Sequence, residues 1–231
     1  MKIAIIPARK GSKRIKNKNI KLFFGKPIIY WSIKAAKDSK LFDKIIVSTD
    51  CKIIANIANK FGAETPFVRP KNLSGDVVNV DKVIKHALLW YKKKDIIFDK
   101  ACCIYPTAPF LSKEIIRNGL ELIQDNKKFF SFTVTSFPHP IERSFKIKKD
   151  GSIVPKFKNN EKKRSQLFEV LYHDIGQIYW GTSEAFLKEK NIFAKNSSAI
   201  YIPRHLAHDI NTIEEWKTAE LVFKALKLNK Y

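Results

Sequence analysis

No stretch of the 231-residue chain approaches the roughly 18 uninterrupted apolar residues that a membrane span needs. The opening residues, MKIAIIPARK, are too short and too soon charged to read as a secretory signal. With a mean hydropathy of −0.25, these absences predict a soluble, cytoplasmic protein with no membrane partner. Cysteine is scarce. The three residues, Cys51, Cys102 and Cys103, are an odd number and lack the spacing of a disulfide framework. Neighbours on a strand face opposite ways, so Cys102 and Cys103 are expected reduced and buried on the two sides of one strand. There is no internal repeat and no low-complexity tract.

Acidic residues are also in short supply, 22 against 44 basic ones, for a net charge of +22. Such an excess raises nucleic acid or an anionic surface as a partner. The lysines, however, are spread over solvated helix faces (Lys34, Lys37, Lys85, Lys92, Lys224) and are not gathered with interleaved aromatics. A nucleic-acid-binding module needs a continuous cationic face or stacking aromatics. The favoured reading is an enzyme with a diffuse basic background and no nucleic-acid partner, with the binding module as its rival from another class.

Short β-rich runs alternate with helical periods along the chain. Strands are expected at 2–8, 43–50, 129–137, 176–181 and 197–204, with 64–70 a strand running into a loop and 100–109 a strand followed by a turn. Helices are expected at 26–39, with Pro27 in its first turn, and at 51–62, stopped by Gly62. Three more follow: 80–93, 112–125 capped by Ser112, and 212–227 opened by a Thr212–Glu215 capping box. The alternation predicts an α/β fold, a mainly parallel sheet with helices on both faces. The rhythm breaks at about 138–172, where Asp150–Gly151 signals a hairpin and NNEKKRSQ reads as a polar loop. The chain is expected to be a single domain over 1–231, with this segment as an inserted arm.

The usual nucleotide fingerprints are missing. No G-x-G-x-x-G follows the first strand, and Gly25–Lys26 leads into proline instead of serine or threonine. In their place the first strand runs into IIPARKGSKRIKNKNI, with Arg9, Lys10, Lys13, Arg14, Lys16 and Lys18 and no carboxylate among them. Ligands of open α/β sheets bind beyond the carboxyl ends of strands. A loop rich in backbone N–H groups and cations at that place reads as a phosphate site.

The ordered set IPARKGSKRIKNKNI, LFDKIIVSTD, FGAETPFVRP, DKVIKHAL, YPTAPF, RSQ, YHDIGQIYWG and DINT covers residues 2–216. It resembles the sugar-acid cytidylyltransferases, the family that makes CMP-activated nonulosonic acids. CCIYPTAPF and YHDIGQIYWG resemble its pseudaminic acid branch, where the sialic acid branch tends to read LQPTSPL and NGAIY. The resemblance implies a Rossmann-like nucleotidyltransferase fold, CTP as donor, Mg²⁺ as cofactor and a homodimer built through the inserted arm. It implies that Ala8 and Asn19 lie beside the nucleotide, that Arg9, Ser12, Lys13 and Lys18 hold the triphosphate, and that Arg69 faces the base. Asp209, and Asn211 where the family usually has aspartate, would hold the metal. Tyr105, Arg143, Arg164, Gln166, His173 and Gln177 would surround the sugar acid. Arg9, Lys18 and Asp209 would carry catalysis. Pseudaminic acid is the expected acceptor, with N-acetylneuraminic, legionaminic and 3-deoxy-octulosonic acids as the alternatives.

The chemistry agrees with that assignment. A sugar hydroxyl attacking the α-phosphate of a triphosphate brings two anions together, so positioning and charge neutralisation dominate. Arginine holds phosphate or carboxylate as a fork and lysine as a point charge. Mg²⁺ keeps several waters and needs few side chains. Other polar residues have blander readings. Asp50 is a helix cap. Asp76 and Asp81 are a cap and a solvated face, or approach the metal. His205, His208 and Asp209 lack an obvious fourth zinc ligand. Tyr179 and Trp180 are core, and His139 is a loop residue.

Overall fold

The computed structural model describes residues 1–228 except 126, 159, 161 and 162. Three of those four lie in the polar loop NNEKKRSQ, so that part of the expected arm falls outside the described residues. In chain order the strands are β1 (Lys2–Pro7), β2 (Leu22–Phe23), β3 (Lys26–Pro27), β4 (Lys44–Ser48) and β5 (Lys100–Ile104), then β6 (Phe130–Ser136), β7 (Phe145–Ile147), β8 (Ile153–Pro155), β9 (Tyr172–Thr182) and β10 (Ser197–Tyr201). The helices are α1 (Ile29–Ser39), α2 (Lys52–Lys60), α3 (Val80–Lys92), α4 (Lys113–Glu121), α5 (Ser183–Leu187) and α6 (Ile213–Leu228). Among the described residues no helix is long and apolar enough to cross a membrane.

The central sheet has the order β10-β6-β9-β5-β1-β4. Its strands run parallel except β9, which is antiparallel to both β5 and β6. Strand alternation divides the core. Ile3 and Ile5 pack with Ile84 and Leu88 of α3 and Phe186 of α5. Ala4 and Ile6 pack on the other face with Ile29 and Ile33 of α1 and Ile116 of α4. Cys102 and Cys103 fall in opposite layers, both fully buried and unpaired, as expected for neighbours on a central strand. Trp180 is core as well, its indole N–H donating to the Ile116 carbonyl at 2.9 Å.

Three expectations need correction. The segment 64–70 forms no strand, only isolated bridges from Glu64 to Ile46 and from Val68 to Thr49. Pro66 and Pro70 lack the N–H that a ladder needs. Pro27 lies not in a helix but in the two-residue strand β3, paired with β2, and α1 starts two residues later at Ile29. The strand expected at 176–181 begins at Tyr172, so His173 and Asp174 belong to the sheet and not to the arm.

The arm carries the expected hairpin: β7 pairs with β8 around Gly151, whose φ of +83° fits the turn. The helix signals also hold. Ser112 accepts from the Ile115 N–H at 3.4 Å. Thr212 and Glu215 form a reciprocal box, at 2.7 Å from the Thr212 N–H and 3.2 Å from the Glu215 N–H.

Gly181 ends the buried part of β9 under two rings. An added Cβ would meet Phe186 Cε2 at 2.5 Å and Phe130 Cδ1 at 2.6 Å. Gly181→Ala is expected to destabilise the protein by about 1–3 kcal/mol, the range for overpacked cores. A fall of several degrees in Tm by calorimetry is the check. An unchanged Tm would show that the Phe130–Phe186 pair yields freely.

Candidate active site

At the carboxyl end of β1 the chain leaves the sheet and enters the cationic loop. Three hydrogen bonds and a left-handed turn fix it. The Ala8 N–H prolongs the β1–β4 ladder to the Ser48 carbonyl at 2.9 Å. The Lys10 N–H donates to Asp50 Oδ1 at 2.9 Å. Asn19, buried, donates from Nδ2 to the Arg9 carbonyl at 2.9 Å. Asn17 takes a left-handed turn at φ 54° and starts the short 3₁₀ turn Lys18–Ile20. Asp50 is therefore a loop anchor and not the cap of α2, which has no side-chain cap.

The loop forms one wall of a cleft of about 250 Å³. Arg9, Ser12, Lys13, Lys18, Asn19, Arg69, Tyr105 and Asn211 line it, together with Arg14, Asp76, Thr107 and a strip of Val78, Val80 and Val83. Residues from both ends of the sequence thus converge where the strand ends had pointed. Exposed Lys10 and Lys16 stay outside the lining.

Lys18 donates to the Ile210 carbonyl at 2.7 Å and to Asn211 Oδ1 at 3.3 Å, and Arg14 Nη2 reaches the same amide oxygen at 3.0 Å. The capping box fixes this strip from behind, because Glu215 Oε2 also accepts from the Asn211 N–H at 2.7 Å. Burial pushes the Lys18 ammonium below its usual range, opposed by the charge of Asp209 and reinforced by Arg14. Asp209, an exposed residue, precedes this strip and is not among the residues that line the cleft. Surrounding protein raises its carboxyl somewhat, while a hydrogen bond from Asn211 and the Lys18 charge pull it back.

Arg69 closes the other end. It is 4% exposed, its backbone N–H bonds the Thr49 carbonyl at 2.8 Å, and its Nε and Nη2 have no hydrogen-bond partner among the described residues. Burial lowers its affinity for a proton, with Asp50 opposing. Buried donors left unpaired are costly, so this fork is set for a ligand's acceptors.

Asp76 fills part of the cationic wall. Its carboxylate pairs with Arg9 Nη1 at 2.5 Å and Lys13 Nζ at 2.6 Å. Hydrogen bonds from Lys13 and then Arg9 hold its carboxyl below the usual range. An incoming polyphosphate competes for the same two cations. Asp76→Asn is expected to tighten binding of inorganic tripolyphosphate by roughly two- to fivefold, the scale of exposed ion pairs. Calorimetric titration measures it, and weaker binding would make Asp76 a support for Arg9 instead of a competitor.

The remaining sequence-predicted residues lie off the cleft lining. Ala8 is fully buried. Gln177, 1% exposed, donates to the Leu206 carbonyl at 2.8 Å and keeps an unpartnered Oε1. His173 bonds its neighbour's carbonyl through Nδ1 at 3.0 Å and packs on Phe137. Arg143, Arg164 and Gln166 are exposed on the arm, Arg143 donating to the Lys163 carbonyl at 2.8 Å. Arg14 and Asp76 were not singled out as site residues. Arg14 was legible as a member of the cationic run, whereas Asp76 reaches the site by a fold that no local signal announces.

The donor set fits Mg²⁺ in a limited way. Asp209 offers one hard carboxylate, and among the described residues no three His, Cys, Asp or Glu side chains converge on a point. The Asn211 oxygen faces Lys18 and Arg14, cations that disfavour a metal beside it. A Mg²⁺ ion here would take most of its shell from phosphate and water.

Comparison with known proteins gives the family. A cytidylyltransferase family model matches residues 3–214. The chain is 41% identical over 222 residues to a pseudaminic acid cytidylyltransferase of Campylobacter jejuni, covering 96% of each chain. It is 30% identical over 240 residues to a CMP-N,N'-diacetyllegionaminic acid synthase of Legionella pneumophila, covering 99% and 97%. A CMP-2-keto-3-deoxy-manno-octonic acid synthetase solved with CTP shares the fold at a TM-score of 0.70 and 12% identity, over 97% of this chain and 99% of that one. A cation-rich loop without either common nucleotide fingerprint leaves the end of β1 in this six-stranded sheet, and the chain belongs to the cytidylyltransferase family.

Proposed function

We propose that the protein transfers CMP from CTP to the anomeric hydroxyl of pseudaminic acid, releasing pyrophosphate. The observation that carries this reading is the cleft, with Arg9, Lys13 and Lys18 on one wall and the unpaired Arg69 fork on the other. The Campylobacter relative supports the choice of acceptor.

In this mechanism Arg9, Ser12, Lys13 and Lys18 bind the triphosphate, displacing Asp76. Asn19 keeps Arg9 in register through the Arg9 carbonyl. Arg69 directs its free donors at cytosine acceptors. Lys18, anchored at Ile210, neutralises charge developing on the α-phosphate as the sugar oxygen attacks and pyrophosphate leaves in line. Asp209 would hold Mg²⁺, which would supply further charge neutralisation. No covalent intermediate is needed, and burial raises the Cys102 and Cys103 thiols far out of the nucleophilic range. Tyr105 and the Gln177 region form the acceptor end. The test is pyrophosphate release from CTP across a panel of nonulosonic acids. Pseudaminic acid is expected to react fastest. Turnover of none, by folded protein, overturns the reading, and faster turnover of another acid reassigns the acceptor.

We also infer a homodimer through the arm. Phe145, Ile147, Ile153, Leu167 and Val170 are exposed there, from 55% to 72%, a cluster larger than scattered surface apolars. Arg143, Arg164 and Gln166 share that arm. Replacing Ile147 and Ile153 together with aspartate is expected to give a monomer by light scattering. The monomer should keep CTP affinity and lose acceptor affinity by tenfold or more. A wild-type monomer sinks the dimer, and a fully active variant monomer sinks the arm's role.

A further inference from the structure

The cations that the loop sends into the cleft are held in two different ways. Arg9 and Lys13 are ion-paired to Asp76 at 2.5 and 2.6 Å. Lys18 and Arg14 are held by neutral oxygens. Lys18 donates to the Ile210 carbonyl at 2.7 Å and to Asn211 Oδ1 at 3.3 Å, and Arg14 Nη2 donates to the same Oδ1 at 3.0 Å. Two donors converging on one atom mark it as the amide oxygen. Among the described residues neither Lys18 nor Arg14 forms an ion pair.

Arg14 is an exposed residue of the cleft lining, yet the contact that holds it is a built one. It joins positions 197 residues apart, each beside a buried isoleucine. Ile15 is 2% exposed and Ile210 0%, and both belong to the apolar cluster of Phe23, Phe110 and Trp216. Asn211 is braced from behind by its N–H bond to Glu215 Oε2 at 2.7 Å. The same oxygen takes the Thr212 N–H at 2.7 Å, so Glu215 is committed to the backbone. Arg14 thus gives one nitrogen to the amide and keeps its other donors and its full charge. A carboxylate at 211 would act on Arg14 and Lys18 as Asp76 acts on Arg9 and Lys13, and an incoming anion would have to displace it. A neutral amide orients the guanidinium without cancelling its charge. With two cations on its oxygen, that amide is also a poor ligand for a third.

We propose that Arg14 is a triphosphate-binding residue and that Asn211 is its positioning residue and not a metal ligand. The cleft then carries a fixed guanidinium where a carboxylate would invite a metal. Arginine meets two phosphate oxygens at once as a fork, and no ion pair has to open for Arg14 or Lys18 to do so. The proposal rests on the reading that this cleft takes CTP.

Calorimetric titration of inorganic tripolyphosphate, first in EDTA and then in Mg²⁺, tests it without turnover. Arg14→Gln keeps a donor for Asn211 and loses the charge and the fork. It is expected to weaken binding in EDTA by about tenfold or more, the scale of a hydrogen bond to a charged group. Arg14→Lys should recover only part of that, because the charge returns without the fork. Lys16→Gln, exposed and off the lining, should cost at most about twofold. Asn211→Ala separates guide from metal ligand. Removing a metal ligand changes nothing in EDTA, whereas removing the guide should weaken binding there about threefold or more, and little further in the Arg14→Gln background. Asn211→Asp should bind more weakly than wild type in EDTA and in Mg²⁺. Thermal melting checks that each variant is folded. Arg14→Gln no weaker than Lys16→Gln overturns the proposal. So does Asn211→Ala unchanged in EDTA, or equally harmful in both backgrounds, or Asn211→Asp tighter than wild type in Mg²⁺. If the wild type turns over no sugar acid, the proposed function fails while the titration still decides Arg14. A wild type that binds no tripolyphosphate overturns both.

Discussion

Lys18→Gln is expected to lower turnover by about a hundred- to a thousandfold while the protein stays folded. The magnitude is that of removing one preorganised charge or donor from a developing anion in a partly dry site. Glutamine is the informative choice. It retains an N–H for the Ile210 carbonyl, which Lys18 meets at 2.7 Å, so the loop keeps its anchor and only the charge is lost. Lys18→Ala leaves that carbonyl bare and mixes a folding defect into the result. Lys18 is half-buried, and burial weakens the ammonium's hold on its proton; a charge so placed is screened less by water and counts for more to an anionic substrate. Lys10→Ala and Lys16→Ala supply the contrast, since both side chains are exposed and off the cleft. Their losses should stay within a few fold and fade with added salt. Single-turnover rates, with CTP affinity by titration, make the comparison. If Lys18→Gln and Lys10→Ala behave alike, the loop is a diffuse attractor of anions and has no directed contact.

The cationic wall of the cleft was legible in sequence because most of it is local. Residues 8–20 follow one strand, and strand ends in an open α/β sheet face the ligand. Arg9, Ser12, Lys13, Lys18 and Asn19 all line the cleft. The Thr212–Glu215 box was equally local and turns out to brace Asn211. The Tyr105 end of the cleft was not legible in that way. The reversal of β9 is decided by pairing with β5 and β6, strands 70 and 40 residues or so away, and its bulge opposite Phe132–Val134 by what Thr133 can satisfy. A reading by periodicity therefore began the strand at 176, missed His173 and Asp174 as sheet residues, and took Tyr179 for plain core. Tyr179 is buried as expected, but its hydroxyl has a partner that only the bulge brings within reach. Asp76 is the same kind of miss. Local pattern allowed a cap, a solvated face or a metal approach, and its ion pairs with Arg9 and Lys13 depend on how 71–79 folds back over the loop.

Asp209→Asn is the second large effect expected, a loss of turnover of a hundredfold or more at ordinary Mg²⁺ concentration. Two routes lead to such a loss. If Asp209 holds the metal, the variant has one hard anionic ligand fewer, and half-maximal activity moves to higher Mg²⁺. If Asp209 serves mainly Lys18, the loss follows from proton affinity. The Asp209 charge raises the Lys18 pKa against burial, so removing it lowers that pKa further and more Lys18 is neutral at a given pH. The alkaline limb of the rate profile then moves to lower pH, activity recovers on acidification, and the Mg²⁺ midpoint does not move. A Mg²⁺ titration at two pH values separates the routes. The expected result is a shifted Mg²⁺ midpoint, with Asn211→Asp as the converse. An added carboxylate between Arg14 and Lys18, where the amide oxygen now accepts at 3.0 and 3.3 Å, should raise the Lys18 pKa. Because those two cations hold it, it should sharpen Mg²⁺ dependence only slightly. If Asp209→Asn keeps both its Mg²⁺ midpoint and its pH profile, Asp209 neither binds the metal nor tunes Lys18, and the rim of the cleft must be reassigned.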